Sequence, residues 1–86
     1  MRRVWVSSAA YEAALQTVID ARRAAGLSQR ELADRLSKHR SFVSKVEARG
    51  RRLDIVEFIV WAKALGLTPA ELIGAVEASL PENIEI

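Results

Sequence analysis

Cysteine is absent from this 86-residue chain, so neither a disulfide nor a zinc-thiolate centre can hold it together. That absence suits a reducing compartment, and a cytoplasmic location is expected. With a single histidine, too few ligands remain for another kind of metal site, and no metal or cofactor is expected. The serines have no histidine at a spacing that would activate them, and the four glycines form no phosphate-cradling loop. The chain is therefore not expected to be an enzyme or to take a small-molecule ligand. No apolar run approaches the roughly 18–20 residues that span a bilayer. The start, Met1-Arg2-Arg3-Val4-Trp5-Val6, is too short for a secretory signal, so a soluble protein with no membrane partner is expected. Aromatic residues make up only 6%, too few for the stacking platform with which single-stranded RNA is read.

Half of the residues are apolar, enough for one small domain, residues 1–86, to build a single core. The formal net charge of +2 conceals a marked asymmetry. Between Ser28 and Arg52 stand Arg30, Arg35, Lys38, Arg40, Lys45, Arg49, Arg51 and Arg52 against only Glu31, Asp34 and Glu47. From Leu53 onward the balance inverts, with Lys63 facing Asp54, Glu57, Glu71, Glu77, Glu82 and Glu85. A basic segment followed by an acidic one is what a protein needs when one surface meets phosphate and another does not.

The fold expected is all-α, a compact five-helix domain. A first helix spans Ser8 to Ala25, with Leu15, Val18 and Ile19 inward and Gly26 as its left-handed terminator. Ser28-Gln29-Arg30-Glu31 is a capping box that opens a second helix, ending near Leu36. A third covers Arg40 to Ala48. Asp54 with Glu57 opens a fourth that closes at Gly66, and Thr68-Pro69-Ala70-Glu71 opens a fifth. On the fourth, Ile55, Phe58, Ile59, Ala62 and Leu65 form the stripe expected to face the core. Arg2 to Val6 and Asn83 to Ile86 are short β-prone pieces that can pair with each other or with a second chain, or fray.

The second and third helices, joined by the tight turn Ser37-Lys38-His39, have the form of a helix-turn-helix DNA reader. Leu32, Ala33 and Leu36 face inward, Ala33 lets the third helix cross closely, and Val43 and Val46 give that helix its own stripe. Burying that stripe turns Arg40, Ser41, Ser44 and Lys45 outward. From about Leu15 to Ile73 the chain resembles the Cro and lambda-repressor (XRE-type) helix-turn-helix family. The pieces that carry the resemblance are Gly26-Leu27-Ser28-Gln29, Glu31-Leu32-Ala33, Ser41-Phe42-Val43-Ser44-Lys45-Val46-Glu47, Arg51-Arg52-Leu53 and Ala64-Leu65-Gly66. Two departures stand out. The family's turn has glycine then an apolar residue where this chain has Ser37 and Lys38, and a serine at positive φ there carries strain of about 1 kcal/mol. His39 replaces the commoner Ser or Thr ahead of the reading helix.

Arg40 is the first candidate for reading bases, since a guanidinium near the start of a helix in the major groove can bond guanine O6 and N7 together. Ser41, Ser44 and Lys45 are the other base-reading candidates, and family position favours Ser41. Gln29, Arg30, Lys38, His39, Arg49 and Arg51 are candidates for phosphate. The resemblance implies that Gln29 clamps the DNA backbone and steadies Arg40, while His39 either touches phosphate or caps the helix. Arg52 is expected to pair internally with Glu47 or Asp54. Phe42 either packs in the core or lies on a thymine methyl.

Val56, Val60 and Trp61 lie off the inward stripe of the fourth helix, and the fifth adds Leu72, Ile73, Val76 and Leu80. That surplus either buries the helix nearly all round or marks a partner surface. For a dimer, Trp61, Val76 and Leu80 are the expected anchors. The expected function is a sequence-specific double-stranded DNA-binding regulator, a repressor on a palindromic operator as a homodimer. The resemblance implies a prokaryotic or phage regulator of the kind that often controls its own operon. The alternative is an antitoxin or adaptor that mainly binds a protein, with DNA binding secondary.

Overall fold

The computed structural model describes residues 8–84. Over that range it has five helices, α1 (Ala9–Ala24), α2 (Gln29–Arg35), α3 (Arg40–Glu47), α4 (Ile55–Ala64) and α5 (Pro69–Ser79), and no strand. The β-prone Arg2 to Val6 lie outside the described residues. Of the C-terminal piece, Asn83 and Ile84 are irregular, and Glu85 and Ile86 are also outside.

Short side chains set the starts of α1, α2, α4 and α5. Ser8 accepts from the Tyr11 backbone N–H at 3.2 Å at the head of α1. Ser28 and Glu31 close a reciprocal capping box on α2, as do Asp54 and Glu57 on α4 and Thr68 and Glu71 on α5. The helix ends follow a second rule. After α1 and α4 the chain reverses through Gly26 (φ 75°) and Gly66 (φ 82°), where a side chain would be strained. After α2 and α3 the same left-handed step falls on Ser37 (φ 55°) and Arg49 (φ 67°).

The core is one cluster. α1 packs chiefly on α5, α2 on α3, and α4 on α5. At the centre Trp61, Leu32, Leu72, Val43 and Val46 are fully buried. Leu15, Val18 and Ile19 of α1, Leu27, Ala33 of α2, Ala62 of α4 with Leu65 at its C-cap, and Val76 of α5 complete it. Ala33, 1% exposed, sits where α2 and α3 cross.

The inward face of α4 differs from the stripe read in sequence. It runs Phe58, Trp61, Ala62 and Leu65, while Ile55 is 81% and Ile59 41% exposed. Position in the helix decides this. Ile55 is the first residue of the helix, and the large ring of Trp61, off the expected stripe, is the side chain that fills the core. Two residues expected to anchor a dimer are accordingly core residues of the single chain. Trp61 is 0% and Val76 8% exposed, so neither has appreciable surface for a partner. Leu80, at the C-cap of α5, is half-buried.

Candidate nucleic-acid interface

α3 is seated by one face and shows the other. Val43 and Val46 fix it in the core, and Phe42 lies beside Trp61 with ring centroids 6.1 Å apart. The packing alternative for Phe42 therefore holds. On the outer face Arg40, Ser41 and Lys45 are exposed and Ser44 is half-buried, its hydroxyl donating to the Ser41 carbonyl at 3.2 Å. The four base-reading candidates thus share one helix of eight residues.

His39 resolves where that helix begins. Its Nδ1 accepts from the Ser41 backbone N–H at 3.1 Å and lies 3.0 Å from the Ser41 hydroxyl, so the imidazole is the N-cap. This is the job Ser or Thr does elsewhere, with a ring nitrogen as the acceptor.

Behind α3 lies a network that sequence reasoning missed. Arg22, at the C-terminal end of α1, donates from Nε to Glu47 Oε2 at 2.8 Å, from Nη2 to Oε1 at 2.9 Å, and from Nη1 to the Leu27 carbonyl at 2.7 Å. The two side chains are 9% and 5% exposed. The bond to Glu47 holds the guanidinium above its ordinary pKa, against the opposing effect of burial. Gln29 joins the same carboxylate, its Nε2 donating to Oε1 at 2.9 Å. One acidic residue in the last turn of α3 thereby ties down the end of α1 and the start of α2. A signal for Arg22 exists in the sequence: it continues the spacing of Leu15, Val18 and Ile19, so it had to face inward. Gln29, expected to clamp the DNA backbone and steady Arg40, is bonded here to Glu47, and Glu47, one of the two partners expected for Arg52, bonds Arg22 and Gln29.

The remaining cations are engaged to different degrees. Arg30, Lys38 and Lys45 are exposed. Lys38 has its ammonium 5.7 Å from the Phe42 ring, and the Arg51 guanidinium is 5.1 Å from the same ring while bonding Glu57 at 3.0 Å. Arg49 sits 3.5 Å from Glu12, both half-exposed. Arg52 lies over the Tyr11 ring at 4.5 Å. Burial pushes the Tyr11 phenol above its ordinary pKa, opposed by the Leu53 backbone and the charges of Arg52 and Arg51. Arg35 is structural, its Nη1 donating to the Ala64 carbonyl at the end of α4 at 2.9 Å.

Two helices joined by a left-handed turn, the second seated by its apolar side and basic on the other, can be set against known proteins. A helix-turn-helix family model matches residues 18–72. The chain belongs to the XRE-type helix-turn-helix family. An XRE-family-like protein from Pseudomonas syringae pv. tomato str. DC3000 has a solved structure similar to this one. It is 45% identical, over 85% of this chain and 89% of that one, with a TM-score of 0.77. No match was found among curated proteins. In this XRE-type DNA-binding protein, α2 and α3 are the helix-turn-helix, and α1, α4 and α5 build the core that holds it. Among the described residues no single helix is long and apolar enough to cross a membrane.

Proposed function

We propose that the chain is a sequence-specific regulator that acts as a repressor, binding a palindromic operator in double-stranded DNA as a homodimer. The observation that supports this reading is the division of α3. Val43 and Val46 are fully buried, while Arg40, Ser41 and Lys45 stand exposed along the opposite side. Laid in the major groove, Arg40 near the helix start reaches guanine, and Ser41, Ser44 and Lys45 read or brace neighbouring positions. Gln29, Arg30, Lys38, His39, Arg49 and Arg51 meet the flanking phosphates and set the register. Arg51 and Arg49 exchange a carboxylate for phosphate on binding, so each yields less affinity than an unengaged cation.

Arg40→Ala is expected to lower operator affinity by about 1–3 kcal/mol and leave affinity for scrambled duplex nearly intact. Lys38→Ala should weaken both alike and reduce the slope of affinity against salt concentration. Titrations of operator, selected from a random duplex pool, and of scrambled DNA at several salt concentrations decide it. An unchanged specific-to-nonspecific ratio in Arg40→Ala removes Arg40 as the base reader.

A further inference from the structure

Two of the cations assigned to phosphate are paired with carboxylates, and Arg51 is held more closely than Arg49. Arg51 Nη1 donates to both oxygens of Glu57, at 3.1 and 3.0 Å, and the guanidinium lies 5.1 Å from the Phe42 ring. Arg49 approaches Glu12 at 3.5 Å. Glu57 is fixed in its turn. It is the N3 residue of the α4 capping box, where its Oε1 accepts from the Asp54 backbone N–H at 2.9 Å. A chain of contacts therefore runs from the start of α4 through Glu57 and Arg51 to Phe42, which belongs to the reading helix. The guanidinium has a set place relative to α3.

We infer that Glu57 is a positioning residue that raises the sequence specificity of DNA binding. By neutralising Arg51 and fixing it beside Phe42, it withholds that arginine from phosphate except where α3 is seated in register. This rests on the DNA-binding reading above and names a residue that governs its selectivity. With side chains 41% and 26% exposed, the pair contributes little to stability, so its effect lies in binding. A duplex held loosely, with water between, is attracted by net charge, and an arginine already paired supplies little of it. A duplex in register brings a phosphate oxygen within hydrogen-bond distance of the guanidinium. One anion then replaces another, and the charge-assisted bond is kept. Contact with Arg51 is thus made mainly in the specific complex. An unpaired arginine at the same place would meet phosphate in any register and strengthen wrong complexes together with right ones.

The test is titration of operator, selected from a random duplex pool, and of scrambled duplex at several salt concentrations. The full chain is compared with Glu57→Gln, Glu77→Gln, Arg51→Ala and the double variant Arg51→Ala/Glu57→Gln. Glutamine keeps the capping box, so circular dichroism should show Glu57→Gln folded. Glu77, exposed on α5, controls for the loss of one negative charge. Glu57→Gln is expected to bind scrambled duplex about 3–10-fold more tightly and to steepen the salt slope by up to about one unit. Its operator affinity should rise less, so the specific-to-nonspecific ratio falls, whereas Glu77→Gln leaves that ratio unchanged. Arg51→Ala should weaken operator binding more than scrambled binding. In its background Glu57→Gln should add no more affinity than Glu77→Gln does. An equal gain on both duplexes, a loss on both, or a gain that persists without Arg51 overturns the inference. If Glu57→Gln fails to fold, Arg51→Ala decides alone, and equal weakening of both duplexes overturns it. The unchanged protein reports on the DNA reading separately. Absence of binding to any duplex defeats that reading and the inference with it, while failure of the inference alone leaves duplex binding by the unchanged protein intact.

Discussion

The helix-turn-helix, residues 28–48, and the α4–α5 layer, residues 54–79, solve opposite problems with the same local grammar. Both open helices with reciprocal capping boxes and both seat apolar side chains in one core. In the first, the surface beyond the core is cationic, with Arg30, Lys38, Arg40 and Lys45 exposed. In the second it is aliphatic, with Ile55, Val56, Ile59, Val60 and Ile73 exposed. Caps and core specify a helix and its seat, and the outer face is then left for whatever partner the helix meets. A hydrated phosphate calls for charge that stays in water until it is used. An apolar face calls for another apolar face.

The largest effects should come from the residues that both regions share. Trp61→Ala is expected to destabilise by about 3–5 kcal/mol, close to the whole stability of a small domain. Ile59→Ala, two positions earlier, should leave the stability of the monomer nearly unchanged. Denaturant melts at low protein concentration measure both, and similar losses would mean that the outward face of α4 is packed. Next comes the clamp behind α3. Glu47→Gln keeps the shape but leaves Arg22 without a counter-charge, with an expected loss of about 1.5–3 kcal/mol. Glu57→Gln, facing the more exposed Arg51, should cost less than about 1 kcal/mol. Equal losses would erase the distinction between the buried pair and the surface pair.

The turns allow a finer comparison. Ser37→Gly relieves a positive φ and should stabilise by up to about 1 kcal/mol. A clear loss in the melts would show that the serine side chain contributes more than its strain costs. The smallest effect concerns the capping boxes. Glu31 and Glu71 are held below the usual carboxylate range by the backbone N–H groups and hydroxyls of Ser28 and Thr68. Their contribution is therefore full above the ordinary carboxylate pKa, near pH 4, and is lost as pH falls through the folded values. Urea melts across the acid range should show a shallower acid limb in a Glu31→Gln, Glu71→Gln double variant.

What was legible in sequence was what local chemistry dictates. Ser28, Asp54 and Thr68 announce helix starts because each meets a glutamate three residues on. Gly26 announces an end because little else tolerates its φ. The inward turn of Val43 and Val46 fixes the outward turn of Arg40 and Lys45. What was not legible needed partners far apart in the chain. The spacing of α1 turns Arg22 inward, but that its partner is Glu47, 25 residues on, shows only once α1 and α3 converge. The roll of α4 depends on how Trp61 fits among Val43, Leu32 and Leu72, which no periodicity of α4 alone contains. His39 as a cap was foreseen as one of two roles, but its acceptor geometry belongs to the folded turn.

The length of α3 sets an address length. Eight residues at 1.5 Å each make a rod of about 12 Å, and base pairs rise about 3.4 Å each. Laid in the major groove as proposed, the helix would span about four steps of duplex, and the left-handed residues at 37 and 49 lie on either side of it. Four fully specified base pairs recur by chance roughly once in 256, and eight roughly once in 65,000, against the ~10⁶ or more competing sites of a genome. Under the proposed reading, two copies together would still leave a deficit, and the remainder would have to be written in the DNA itself, as half-site spacing, the bendability of the steps between half-sites, or repeated sites that fill together.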